Sequence, residues 1–241
     1  MKFLLISNLC FGSRYERLDL VYRAFDYCKK NGINIILCGG NIIDGFSTSK
    51  KQGIPDIRKQ VEYAVKNYPS DKNILTFSVL GDRDQNALSN EGIYLEEFFL
   101  NHRPDVIFGG FNNTYIYIKN DIILLYHYLS GGRMLSPKGS IVLHGHASKY
   151  MTTFINDILN ITIPSLSDMN QSVPSALELN LKFNNGFIET ANVKQVCFME
   201  KDTVLNEVGF DFPKNKTKKM DRILNIEDYR KDIPTGKIKW K

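Results

Sequence analysis

Short apolar runs and helical periods alternate through the first half of the chain, and this alternation constrains the fold more than any other feature. "KFLLIS" (2–7), "INIILCG" (33–39) and "ILTFSVLG" (74–81) have the length and content of buried strands. Between the first two, "YERLDLVYRAFDYCKKNG" sets Leu18, Val21, Tyr22, Phe25 and Cys28 at helical spacing and stops at Gly32. Between the second and third, "PDIRKQVEYAVKNYP" opens on Pro55 and gathers Ile57, Val61, Ala64 and Val65 on one face. Strand–helix–strand repetition demands right-handed crossovers and a parallel or mixed sheet with covered faces. After residue 104 the pattern becomes strand-rich: "DVIFGGF", "TYIYIKN", "IILLYHY", "SIVLHGH", "ALELNLKF" and "GFIETANVKQVCFME". "KND" (119–121) and "NNG" (184–186) read as hairpin turns between neighbouring runs.

Charge divides the 241 residues unevenly. From Lys214 onward there are ten Lys/Arg against four Asp/Glu, a net of +6, whereas the remainder has 21 basic and 22 acidic residues, a net of −1. The expected organisation is one domain over 1–208 and a basic tail over 209–241, whose residues 214–241 mix lysines with Tyr229 and Trp240 as a contact for protein or nucleic acid. No apolar run has the length of a membrane span, so no membrane role is expected. "MKFLLIS" lacks a full signal-peptide core and reads as a buried first strand. The four cysteines, Cys10, Cys28, Cys38 and Cys197, form no CxxC pair, so reduced thiols in a cytoplasmic protein are the expectation.

Four strands end in a glycine with polar neighbours. They are "ISNLCFG" with Asn8 and Cys10, "CGGNIIDG" with Asn41 and Asp44, "VLGDRDQN" with Asp82, Arg83 and Asp84, and "VLHGHAS" with His144, His146 and Ser148. A fifth, "LLYHYLS", carries His127. Any one of these is ordinary turn composition. Five in one order converge, because the carboxyl ends of strands in an open α/β fold face a common crevice.

With those segments in view, the chain over roughly residues 1–195 resembles the calcineurin-like metallophosphoesterases. That family's pattern is Asp-x-His, Gly-Asp-x-x-Asp, Gly-Asn-His-Asp/Glu, a lone His and Gly-His-x-His. The matching segments are "SNLC", "GNIID", "GDRD", "YHY" and "GHAS", and "IPSLSD" (163–168) stands where the family often has Asn-Pro-Gly-Ser. The resemblance implies an α/β fold, a four-layer αββα sandwich with two sheets face to face and helices outside.

It also implies where a two-metal site would stand, and the residues there have changed. The first ion's positions hold Asn8, Cys10, Asn41 and Ser148, with neither carboxylate nor imidazole among them. Neutral side chains cannot offset a dication as carboxylates do, so that site is expected to be lost. The second ion's positions hold Asn41, Asp82, His127 and His146; two imidazoles and one carboxylate suit a single divalent ion such as Mn²⁺ or Zn²⁺. His144 shares a strand with His146, and a satisfied structural role is the expectation for it. The family's general-acid His is Arg83, which cannot donate a proton near neutral pH but suits a phosphate. Arg83 is expected either to pair with Asp84 or Asp44, or to grip phosphate together with Arg133. The functional expectation is a catalytically inactive metallophosphoesterase-fold protein kept for binding or scaffolding. The alternatives are a residual single-metal phosphodiesterase or phosphatase, and a phosphate- or nucleotide-binding regulator.

Overall fold

In the computed structural model, which describes residues 1–46, 53–128, 140–147, 149–170, 172–199 and 201–213, the N-terminal apolar run is the pivot of a mixed sheet. The first half runs β1 (Lys2–Ile6), α1 (Leu18–Asn31), β2 (Ile35–Cys38), α2 (Ile57–Asn67), β3 (Leu75–Leu80), α3 (Asp82–Glu91), α4 (Leu95–His102) and β4 (Val106–Phe111). The second half adds β5 (Asn113–Ile118), β6 (Asp121–Tyr126), β7 (Ile141–His144), β8 (Met151–Ile155) and β9 (Ile158–Thr162). It closes with β10 (Ser175–Asn184), β11 (Phe187–Cys197) and β12 (Thr203–Asp211). The larger sheet has the order β12-β11-β10-β1-β2-β3-β4, and the smaller β5-β6-β7-β9-β8. β1 to β4 are parallel, as the crossovers require, and β10 joins β1 antiparallel.

Strand alternation builds two cores from the larger sheet. Leu4, Ile6, Ile36 and Cys38 turn toward the helices and meet Leu20, Val61, Ala87 and Phe99. Phe3, Leu5, Leu37 and Phe77 turn the other way and meet Ile116, Ile123, Leu143 and Ile161 of the smaller sheet. The chain is thus an α/β protein with two mixed sheets face to face and helices outside. All four helices of the described residues contribute buried side chains to the core on the larger sheet's outer face; none of them lies over the smaller sheet's outer face.

Local chemistry accounts for most boundaries. Gly32 closes α1 at a φ of 65°, a left-handed C-cap. α2 starts one cap later than expected: Asp56, not Pro55, is its N-cap and accepts the Lys59 backbone N–H at 3.0 Å. The turns at Lys119 and at Asn185–Gly186 take the positive φ that two-residue hairpins need. Sequence reading missed α3, α4, β8, β9 and β12. α3 buries only Asp84 and Ala87, so its apolar period is too thin to read. β8 and β12 are edge strands with mostly exposed side chains. β12 carries the chain past residue 208 to Asp211, and residues 214–241 lie outside the described residues.

Candidate metal centre and the adjoining amide pair

Beyond the ends of β1 and β2 the backbones stay zipped together. Asn8 N–H donates to Gly40 O at 3.0 Å, Cys10 to Asn41 O at 3.0 Å and Phe11 to Ile42 O at 2.7 Å. Asn8, Cys10 and Asn41 take φ values of 52°, 51° and 58°, a left-handed backbone that Asn tolerates and Cys seldom adopts. β6 and β7 extend in the same way, with Gly145 N–H on Tyr126 O and His146 N–H on His127 O, which sets the two imidazoles side by side. The two strand-end systems meet at Gly39 and Gly145, where a Cβ on Gly145 would overlap the Gly39 carbonyl. Ser7 Oγ donates to Gly145 O at 2.5 Å across this crossing.

Asp82, the first residue of α3, faces His127 and His146. His127 Nε2 lies 2.9 Å from Asp82 Oδ1, His146 Nδ1 lies 3.1 Å from His127 Nε2, and His146 Nδ1 lies 3.8 Å from Asp82 Oδ1. All the donor atoms fall within 4.8 Å of one another. A tetrahedral ion with bonds of about 2.0–2.1 Å sets its ligand atoms roughly 3.3 Å apart, close to these separations. His127 is fully buried, and its Nδ1 lies 2.6 Å from the Gly39 carbonyl, which can only accept. Nδ1 therefore carries a proton, and the Nε2 lone pair is turned on a carboxylate. His146 Nδ1, 3.1 Å from that lone pair, can donate a hydrogen bond to it, and the same lone pair is placed to meet a metal ion. The imidazole beside it holds the Asp82 carboxyl well below the usual range.

Asn112 fixes His127 from behind and was not legible in the sequence. Its carbonyl accepts the His127 N–H at 2.7 Å, and its side chain brackets Tyr128 through N–H···Oδ1 and Nδ2–H···O bonds of 3.0 and 2.7 Å. The only sequence signal was an Asn-Asn pair at a strand end, which is common turn composition.

The neighbouring half of the site is closed by amides. Asn41 Nδ2 donates to Asn8 Oδ1 at 3.0 Å, Asn8 Nδ2 donates to Gly145 O at 3.0 Å, and Asn41 Oδ1 accepts the Arg83 N–H at 3.1 Å. Each amide spends its polar atoms on protein. Cys10 is fully buried, and burial pushes its thiol far above the ordinary value. Ser148 and Arg133 lie outside the described residues.

Asp84 does not pair with Arg83. Its carboxylate accepts the N–H groups of Asn41, Gly81 and Ile43 at 2.7, 2.9 and 3.0 Å, tying the β2 loop to the start of α3. Arg83 turns instead to Asp44, with Nη1 2.5 Å from Oδ1, and its guanidinium lies 4.8 Å over the Phe46 ring. Burial raises the Asp44 carboxyl, and the Arg83 charge opposes that rise. His144 is half-buried with Tyr126 Oη on its Nδ1, the structural role expected for it. The four thiols are free and buried.

No family model and no curated protein sequence matches this chain. Solved structures do match. Yfce, a phosphoesterase from E. coli, superposes with a TM-score of 0.54 at 12% identity, covering 86% of this chain and 98% of that one. Vacuolar Protein Sorting 29 from Cryptosporidium parvum superposes with a TM-score of 0.51 at 18% identity, covering 87% and 97%. A wild-type Vps29 from Entamoeba histolytica, solved complexed with Zn²⁺, reaches a TM-score of 0.48 at 17% identity, covering 88% and 100%. The fold is that of the metallophosphoesterases. Within that fold, this chain brings Asp82, His127 and His146 together and pairs the Asn8 and Asn41 amides.

Proposed function

We propose that this protein is a cytoplasmic binding or scaffolding module on a metallophosphoesterase fold, incapable of two-metal hydrolysis. The observation that carries this reading is the Asn8–Asn41 side-chain pair: Asn41, to which the resemblance gives the metal-bridging position, is held in a neutral, internally satisfied hydrogen bond. Arg83 in place of an imidazole removes the general acid as well.

The donor set of Asp82, His127 and His146 fits one transition-metal ion, and Mn²⁺ or Zn²⁺ would be held there. A single ion can polarise a phosphoryl oxygen, but it cannot clamp the attacking and leaving oxygens together. That cluster favours a second reading, a residual single-metal phosphodiesterase or phosphatase. The deciding assay is hydrolysis of bis-p-nitrophenyl phosphate by metal-stripped protein reloaded with Mn²⁺ or Zn²⁺. The expected rate equals that of the protein-free control; turnover that vanishes in His127→Ala would establish the residual enzyme instead. Calorimetric titration of the same preparations is expected to show one site, lost in His127→Ala.

Segment 214–241, with its net charge of +6, is the proposed contact for an anionic partner, whether an acidic protein surface or nucleic acid. Binding through it would weaken steeply as salt is raised.

A further inference from the structure

A cavity opens against Arg83, the residue after Asp82 at the start of α3. Its volume is about 180 Å³. The loop after β1 contributes Ser13, Arg14 and Tyr15, the loop after β2 contributes Asp44 and Phe46, and Arg83 and Met169 complete the lining. None of these is a ligand atom of the Asp82–His127–His146 cluster.

Two guanidinium groups border this space, and each is braced on an aromatic ring. Arg83 lies over Phe46 at 4.8 Å, and Arg14 lies over Tyr15 at 4.5 Å. Stacking fixes the plane of a guanidinium and reduces the entropy lost when it grips a ligand. Tyr15 is itself anchored, since its carbonyl accepts the Asp168 N–H at 2.9 Å and its N–H donates to Ser13 Oγ at 3.0 Å. Arg83 directs only Nη1 at Asp44, toward both Oδ1 and the backbone carbonyl; among the described residues its Nε and Nη2 make no hydrogen bond. With Asp44 counted, the three charged groups of the lining sum to +1.

We infer that this cavity is a binding site for a phosphomonoester group, gripped by Arg83 and Arg14 and flanked by Phe46 and Tyr15. A tetrahedral dianion meets the free edge of a guanidinium in the two-pronged geometry that arginine offers. The volume is below the roughly 300 Å³ or more that drug-sized ligands occupy, so the cavity holds the phosphate and the aromatic rim meets what the phosphate is attached to. Asp44 competes with the ligand for Arg83 and thereby sets a modest affinity. The inference rests on the reading of this protein as a binder, and it requires no metal.

The test is calorimetric titration of the full chain in EDTA with inorganic phosphate, with AMP, and with adenosine as the uncharged control. Chelation separates this site from the metal cluster, and the hydrolysis assay is independent of it, so the two readings fail separately. One saturable site for phosphate is expected, several-fold tighter for AMP if the source is a small organic phosphate, and equal for the two if it is the free ion; adenosine should not bind. Arg83→Met should abolish binding, and Arg14→Met, a surface change, should weaken it about tenfold. Asp44→Asn should tighten it several-fold by releasing Arg83, an effect that a purely structural ion pair would not produce. No saturable binding by the wild type, or unchanged affinity in a folded Arg14→Met protein, would overturn the inference.

Discussion

At the scale of single residues, an amide pair stands beside the Asp82–His127–His146 cluster. The Asn8–Asn41 bond is satisfied without a metal, which makes Asn41→Asp an informative variant. Aspartate there would set an oxygen against Asn8 Oδ1 and add a negative charge near Asp82. The metal-free protein should lose about 1–3 kcal/mol of stability. Zn²⁺ or Mn²⁺ should restore that loss and bind at least tenfold tighter than to wild type; denaturant melts with and without metal provide the check, and identical metal dependence in the two proteins would remove Asn41 from the cation's surroundings. The thiols give a second residue-level expectation. Burial lifts the Cys28 and Cys38 thiols to about 12 and pushes Cys10 higher still, so the folded protein should react with a disulfide reagent at far below the rate of a free thiol. All four should become reactive together on denaturation, and fast reaction of one thiol in the native state would contradict the packing around β1 and β2.

At the scale of elements, what positions the site is the crossing of two strand ends. Gly39 and Gly145 let the backbone following β2 touch the backbone following β7, and His127 and His146 are carried on that contact. Gly145→Ala touches no ligand atom. It should nevertheless cost about 3 kcal/mol, at the upper end of overpacking penalties, because a carbonyl rather than a pliable side chain stands in the way. Metal affinity should fall with it, since His146 follows Gly145 directly. Unchanged affinity measured by calorimetry in a destabilised Gly145→Ala protein would show that the imidazoles are placed by their own strands alone. Arg83 and Asp84 illustrate the same dependence on elements. Adjacent in sequence at the start of α3, they meet different parts of the loop after β2, Asp84 the N–H groups of Asn41 and Ile43 and Arg83 the Asp44 carboxylate, because successive helical positions diverge by about 100°.

At the scale of the whole molecule, the larger sheet lends one face to each of two cores, so neither core can dissolve while the other stays intact. Unfolding should be a single transition, with far-ultraviolet and aromatic near-ultraviolet dichroism coinciding through the denaturant range; separated midpoints would mean that the smaller sheet melts on its own. Much of this architecture was legible in the chain. The apolar runs at 2–7, 33–39 and 74–81 and the helical periods between them are local patterns, and local periodicity is what backbone geometry imposes on sequence. That Asn8, Cys10 and Asn41 bring neither carboxylate nor imidazole was equally plain, since residue type alone decides what can offset a dication. Of the five elements that escaped, α3 and the edge strands β8 and β12 bury too little to leave a pattern, while α4 and β9 each bury only two apolar side chains. The partners of each side chain were decided by tertiary structure alone. Asp82 meets His127 45 positions away, Asn8 meets Gly145 137 positions away, and Arg83 turns to Asp44 instead of Asp84. Sequence determines what each residue can do chemically; only the packing of the two sheets decides which residues come close enough to do it, because that proximity depends on contacts remote along the chain.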